Sequence, residues 1–334
     1  MEKAGSNLMK EININLVRRA IKQTGIATKP QLASLTGLSV VTITSLVKEL
    51  LDIGELSEDE TVPSNGGRPA LTYRYNYDFS LALVIYLNEK QGNDVVVATV
   101  VNLQETVLWR EEFCIPLFEH KPFYEMISLI IGNHPSIKVI GIGIPGQSVD
   151  GEIKVTSHEL LQGVRMIEDL QSRFGLPVVL ENDVNAALTG YCAQNETKEN
   201  QCILGVYFPK SYPPGMGIYA DGKVVRGKDG LAGEIKYLPI DVDWKYPLES
   251  EKFIEVVCTI IHMINVILAP DKIVMYQSQM DNDTWNRFWE AYKSEHFMPS
   301  NPEVIVLDSF HEDFEAGMRW LTLKELEPSI SEFR

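Results

Sequence analysis

Two groups of residues in this chain have side-chain types and spacing suited to chemistry. The first is Glu181-Asn182-Asp183, directly after the apolar run Leu176 to Leu180, together with Glu234 after Gly233. Carboxylates and an amide at a strand end can accept from and donate to hydroxyl groups, as a polyhydroxylated ligand requires. An Asn-Asp pair before a helix is equally suited to capping it, and spacing alone leaves both readings open. The second group is Ser39, Thr42, Thr44, Ser45 and Lys48 in one helical stretch, with Arg68 in the later segment Gly66-Gly67-Arg68-Pro69. Small hydroxyl side chains near a helix start can bond base edges or phosphates, and Lys48 can neutralise a phosphate. Arg68, at a glycine-rich tip, can enter a narrow minor groove.

Other reactive residue types show no pattern. Cys114, Cys192, Cys202 and Cys258 are scattered without a CxxC pair, and the six histidines lack ligand spacing such as HxxxH. Neither a disulfide framework nor a metal site is expected, and no cofactor is assigned.

The elements that would position the second group form a small module over residues 1–78. Ile12, Ile14, Leu16, Val17, Ala20 and Ile21 make an apolar stripe on a helix over residues 11–25 that stops at Gly25, with Arg18, Arg19 and Lys22 on its polar side. Thr28, Pro30 and Gln31 predict a capped second helix ending at Thr36, by a capping box with proline in the first turn. Gly37 turns the chain, and Ser39 caps a third helix to about Leu51, with Val41, Leu46, Val47, Leu50 and Leu51 supplying most of its apolar face. Two strand-like runs, Glu55-Leu56 and Leu71 to Tyr75, flank a polar segment. Three helices with a glycine turn before the third, then a hairpin, predict a winged helix-turn-helix.

Residues 79–334 alternate strand-like and helical runs, the pattern of an α/β domain. Leu81 to Leu87, Asp94 to Val101 and Thr106 to Phe113 predict the strand meander that opens an actin-like or RNase H-like lobe. A first lobe is expected over about 79–190, a second over about 191–310, and a C-terminal helical segment over 311–334. Within them, helices are expected at 123–132, 164–174, 184–192, 250–268 and 311–325, with a late strand at 272–276.

Charge separates the two parts. Residues 1 to 51 hold seven Lys or Arg against three Asp or Glu, whereas residues 79 to 334 hold 21 against 37, within a total of −16. An acidic body with a basic N-terminal end suits a protein that touches phosphates at one end only. No apolar run reaches the roughly 20 residues of a membrane span, and the start lacks a signal-peptide core, so no membrane association and a cytoplasmic location are expected.

Four segments, GGRPA, GIGIPGQSVDGEI, LENDVNAAL and GLAGEI, resemble those of the ROK family of repressors and kinases, in family order and over nearly the full length. The resemblance implies an N-terminal winged helix-turn-helix followed by a two-lobed, sugar-kinase-like ROK domain. It implies that Asp183 holds the position of the general base in sugar-phosphorylating relatives, and that Asn182 and Glu234 contact sugar hydroxyls. The chain departs from the family where chemistry depends on it. The glycine turn that cradles ATP phosphates is replaced by Tyr86 to Asp94, including Glu89, and the late Gly-Gly pair by Ile273 to Gln277. Glu234-Ile235-Lys236-Tyr237 stands in place of Glu-x-Gly-His, and the Cys-x-Cys-Gly zinc segment is absent.

The function these features imply is a DNA-binding transcription regulator, a repressor of carbohydrate-utilisation genes, with no catalytic residues. Its expected partners are a palindromic double-stranded operator, a sugar or sugar-phosphate effector, and a further copy or copies in a homodimer or homotetramer. Two alternatives stay open: a kinase phosphorylating a hexose with ATP, and a regulator whose large domain is only an oligomerisation scaffold.

Overall fold

A computed structural model describes residues 2–63, 69–90, 93–114, 120–156, 158–210, 212–244, 246 and 248–327. They form two compact units, one of Met1–Leu81, Asn102–Thr106 and Glu325–Arg334, the other of Ala82–Val101 and Val107–Lys324.

The first unit opens with α1 (Glu2–Thr24), which begins well before the predicted residue 11 because no proline interrupts it. Ile14, Val17, Ala20 and Ile21 are buried along one face of it. After β1 (Ile26–Thr28), α2 (Lys29–Thr36) starts with the expected capping box: the Thr28 hydroxyl accepts from the Gln31 amide at 3.3 Å, and the Gln31 side chain accepts from the Thr28 amide at 2.7 Å. Gly37 then takes a left-handed conformation at φ +72, which costs a glycine little. Ser39 caps α3 (Val40–Asp52), and α3 is bent 112° from α2.

The buried face of α3 is Ile43, Leu46, Val47 and Leu50, a clean i, i+3, i+4, i+7 set. This corrects the expectation for Val41, which is 81% exposed on the opposite side. β2 (Leu56–Val62) and β3 (Ala70–Tyr75) complete an antiparallel sheet in the order β1-β3-β2. Glu55, expected in the strand, precedes it; its carboxylate is buried and pairs with Arg18 at 2.8 Å. β2 then continues through Ser57 to Thr61, whose polar composition hid the strand. Gly66, Gly67 and Arg68 lie outside the described residues.

The second unit holds two five-stranded sheets. The first contains β4 (Leu81–Lys90), β5 (Asn93–Val101), β6 (Val107–Phe113), β7 (Ile137–Ile144) and β10 (Val178–Asn182), in the order β10-β7-β4-β5-β6. The second contains β11 (Ile203–Tyr207), β12 (Gly215–Ala220), β13 (Lys223–Val224), β14 (Lys272–Tyr276) and β15 (Glu303–Leu307), in the order β13-β12-β11-β14-β15. Each is an antiparallel meander extended on one side by two later strands, so the two lobes repeat one topology. Between β7 and β10 lies a hairpin, β8 (Gly146–Val149) and β9 (Glu152–Thr156), turned by Asp150 and Gly151 at φ +55 and +80. Positive φ at both turn residues matches the twist of a two-residue hairpin.

The helices are α4 (His120–Asn133), α5 (Met166–Phe174), α6 (Asp183–Gln194), α7 (Ser250–Leu268), α8 (Asn282–Glu295) and α9 (Phe310–Lys324). The last, expected as a C-terminal helix, packs on β7 of the first lobe, with Thr322 against Gly141 and Phe314 against Gly143. It also crosses α6 at Gly190 and Gly317, where an added Cβ would overlap the Asp313 and Ala186 carbonyl oxygens. The two helices touch backbone to backbone, which only glycines permit. α8 and β15 carry no expectation from the sequence; α8 joins the second lobe through buried Trp285 and Trp289. Leu238, Ile240, Val242, Trp244 and Leu248 pack on the same core, so the short segment that lacks zinc ligands is held by apolar contact.

Candidate functional site

An open pocket of about 890 Å³, part of it continuous with solvent, lies between the two lobes of the second unit. Its position, beyond the carboxyl ends of β7, β10 and β11, is where open α/β sheets bind ligands. Asn182, Asp183 and Glu234 all line it. The fold thus brings Glu234 to the adjacent pair Asn182 and Asp183, from which it is 52 and 51 positions away in the sequence.

Asn182 is the N-cap of α6. Its Oδ1 accepts from the Val184 and Asn185 amides at 3.0 and 3.1 Å, and its Nδ2 donates to Asp183 Oδ1 at 2.9 Å and to the Gly146 carbonyl at 3.3 Å. All four hydrogen-bonding positions of the amide are therefore used inside the fold. Asp183 Oδ1 also accepts from the Val184 amide at 2.9 Å. Burial, with a contribution from the nearby Glu234 carboxylate, pushes the Asp183 carboxyl up to about 7 against the hydrogen bonds that pull it down. A carboxyl in that range can take or hold a proton at neutral pH.

Several lining residues went unrecognised in the sequence. Lys236, two residues after Glu234, enters the pocket and pairs with it at 3.1 Å, whereas Tyr237 is 71% exposed. The β8–β9 hairpin contributes Gln147 and Thr156, and His158 follows, its ring lying 4.8 Å from that of Tyr212. The Asp150-Gly151 turn was the available signal for this hairpin.

An ion pair joins the lobes at the pocket edge. Glu181 is buried on β10, and its Oε1 receives Arg226 Nη1 at 3.0 Å and the Asn182 amide at 3.0 Å. Arg226 follows β13 on the loop that leads to Glu234. The strand that leads to Asp183 and the loop that leads to Glu234 are thereby tied together.

The nucleotide side does not fit ATP. After β14, Gln277 Oε1 accepts from the Gln279 and Met280 amides at 2.7 and 2.9 Å, so donors that could face a phosphate are already satisfied. Helix α9 begins with Glu312 and Asp313 in its first turn, which disfavours an anion there. Phe310 stacks on Tyr207 with ring centroids 3.6 Å apart, filling space beside the pocket with aromatic surface. At the other glycine turn, β4 runs to Lys90 and β5 starts at Asn93; the Glu89 side chain lies outside the described residues. The residues do not fit the family's zinc either: among the described residues no group of three His, Cys, Asp or Glu could hold a metal ion.

In the first unit, Thr44, Ser45 and Lys48 are exposed on one face of α3, and Ser39 is exposed at its start. Thr42 is half-buried. Three of the four hydroxyls serve the helix itself. Ser39 Oγ accepts from the Thr42 amide at 3.1 Å and bonds Thr42 Oγ1 at 2.9 Å, and Thr44 Oγ1 donates to the Val40 carbonyl at 2.8 Å. Arg68, outside the described residues, receives no placement. No single helix among the described residues is long and apolar enough to cross a membrane.

Comparison with known proteins places these features in a family context. The family model described as ROK family matches residues 90–259. A xylose repressor from Caldicellulosiruptor bescii is 27% identical over 245 residues, covering 70% of this chain and 60% of the relative. The chain thus aligns with about 60% of the length of that curated relative. Among solved structures, a ROK family transcriptional regulator described as a homologue of the Escherichia coli MLC protein superposes with a TM-score of 0.60 at 16% identity, over 95% of this chain and 99% of that one. A ROK family glucokinase from Streptomyces griseus, in complex with glucose and AMPPNP, gives 0.54 at 14% identity, over 73% and 100%. At these identities the superpositions establish the sugar-kinase-like fold.

Proposed function

The chain belongs to the ROK family, and from that premise we propose that it is a DNA-binding repressor of carbohydrate-utilisation genes whose large domain senses a sugar or sugar phosphate without phosphorylating it. Residues 1–78 are the winged helix-turn-helix and residues 79–334 the sensing and dimerising domain. The observation that carries this reading is the pairing of α2 and α3. Two short capped helices bent 112° about a left-handed Gly37 match the geometry by which the second helix enters a major groove. The basic balance of residues 1 to 51 supplies the phosphate attraction, and the xylose repressor name of a relative supports the sugar class.

In the pocket, Asp183 and Glu234 accept from sugar hydroxyls, Lys236 donates to them or to a phosphate, and Asn182 fixes Asp183 as the cap of α6. Sugar binding alters the lobe arrangement held by Glu181 and Arg226, and the change reaches the operator through a homodimer. One observation favours a kinase: the Asp183 carboxyl, raised to about 7, is suited to general-base work. Against it stand the satisfied amides after β14 and the acidic start of α9, since phosphoryl transfer depends on a built phosphate cradle.

The test is capture of genomic fragments by the full chain, followed by elution with a panel of sugars and sugar phosphates and, separately, an ATP-dependent hexose phosphorylation assay. The reading expects captured DNA, release by one member of the panel and no turnover. DNA that no sugar releases would favour the scaffold, and turnover abolished by Asp183→Asn would favour the kinase.

A further inference from the structure

We infer that α3 reads thymine methyl groups, through Val41 and the methyl-bearing face around it, rather than reading base edges through the hydroxyls of Ser39, Thr42 and Thr44. The inference rests on the DNA-binding reading above and names what that surface recognises. The sequence suggests a polar recognition face, but Ser39, Thr42 and Thr44 spend their hydroxyls on the helix: two bond each other across the cap and the third bonds the Val40 carbonyl. What the start of α3 presents outward is aliphatic. Val40 is 50% exposed and Val41 81% exposed, and neither belongs to the buried set Ile43, Leu46, Val47 and Leu50. Val41, Thr44, Ser45 and Lys48 follow one another at helical spacing on a single face, so the valine leads and the cation trails.

Val40 and Val41 together give the start of α3 an exposed aliphatic surface. The first turn of a groove-entering helix is the part that reaches base edges, and the apolar feature of the major groove is the 5-methyl of thymine. Lys48, two turns along the same face, supplies the charge that complements a phosphate backbone. The partner is therefore duplex DNA with thymines where α3 begins.

The test selects bound duplexes from a random-sequence pool with the full chain, then replaces each thymine of the enriched site in turn by deoxyuridine, which removes only the methyl. The expected result is an enriched half-site containing thymine, with affinity falling about 4-fold at one or two of them, the effect of burying roughly one methyl group. In Val41→Ala the natural site weakens several-fold and the thymine-to-deoxyuridine difference at that position disappears. Because Val41 is exposed and alanine is the better helix former, its replacement does not lower the melting temperature, which separates recognition from folding. An enriched site indifferent to deoxyuridine, or a Val41→Ala protein that keeps the discrimination, would overturn this inference while leaving DNA binding in place. Absence of any enriched sequence would overturn both.

Discussion

Asp183 is the residue on which the pocket's chemistry turns. Its carboxyl is raised from 3.8 to about 7, chiefly by burial. Between those values the folded chain holds a proton that the unfolded chain releases, so this group's contribution to stability falls as pH rises from about 4 to 7. Asp183→Asn removes that loss: relative to wild type, the variant gains stability on the order of 4 kcal/mol at pH 8 and less than half of that at pH 5. Thermal melts at the two pH values measure the difference, and an effect equal at both would contradict the burial argument. Lys48 and Arg68 are assigned to DNA contact by the proposed function. Lys48→Ala and Arg68→Ala should each weaken operator binding and reduce the slope of log affinity against log salt by about 1. Titrations at several salt concentrations read this directly, and unchanged slopes in both would remove the docking geometry. At this scale the sequence was informative about residue type and less so about availability. Asn182, Asp183 and Glu234 do line one pocket, yet the Asn182 amide is wholly used as a cap. Lys236 was overlooked because it stands where the family pattern has a glycine, and a departure from a pattern suggests loss before it suggests a new group.

The elements divide according to how local their causes are. The capping box of α2, the Ser39 cap of α3 and the full span of α7 follow from neighbouring residues, and they were legible. α7 runs over the expected 250–268 because its apolar stripe is long and uninterrupted. β1 was invisible since three residues show no alternation, and β2 was legible only at its start, Leu56, because Ser57 to Thr61 are polar. The face of α3 was misassigned at Val41 by counting valines as interior, whereas the period through Ile43 decides which side is buried. The α6–α9 crossing depends on non-local packing, and no residue near Gly317 announces it. Gly317→Ala puts a methyl group onto the Ala186 carbonyl oxygen, and two backbones cannot separate without opening the lobe. The expected cost is roughly 3 kcal/mol or more, readable by chemical denaturation. Gly37→Ala meets nothing within 4 Å and bears only the left-handed penalty of about 1 kcal/mol. Similar losses at both glycines would refute the close crossing.

The whole molecule joins a basic N-terminal end to an acidic body, and the large domain repeats one strand order in two lobes around a pocket. That domain lacks a built phosphate cradle among its described turns, and its shortened segment after Leu238 is held by Ile240, Val242 and Trp244. The α/β class and the alternation of strands and helices were readable from hydrophobic runs. The duplication was not, because β15 carries no expectation from the sequence and the second sheet is left one strand short of the first. The proposed homodimer, with α3 of each copy in a major groove, predicts a site with two-fold symmetry and half-sites one helical turn, or a multiple of it, apart. The most direct measurement of the central claim is an equilibrium titration of the full chain with the selected duplex and with a scrambled duplex of equal composition, at fixed salt. A repressor that reads sequence binds the selected duplex at least about 10³-fold more tightly, and more weakly as salt rises. Equal affinity for the two duplexes at every salt concentration would contradict it.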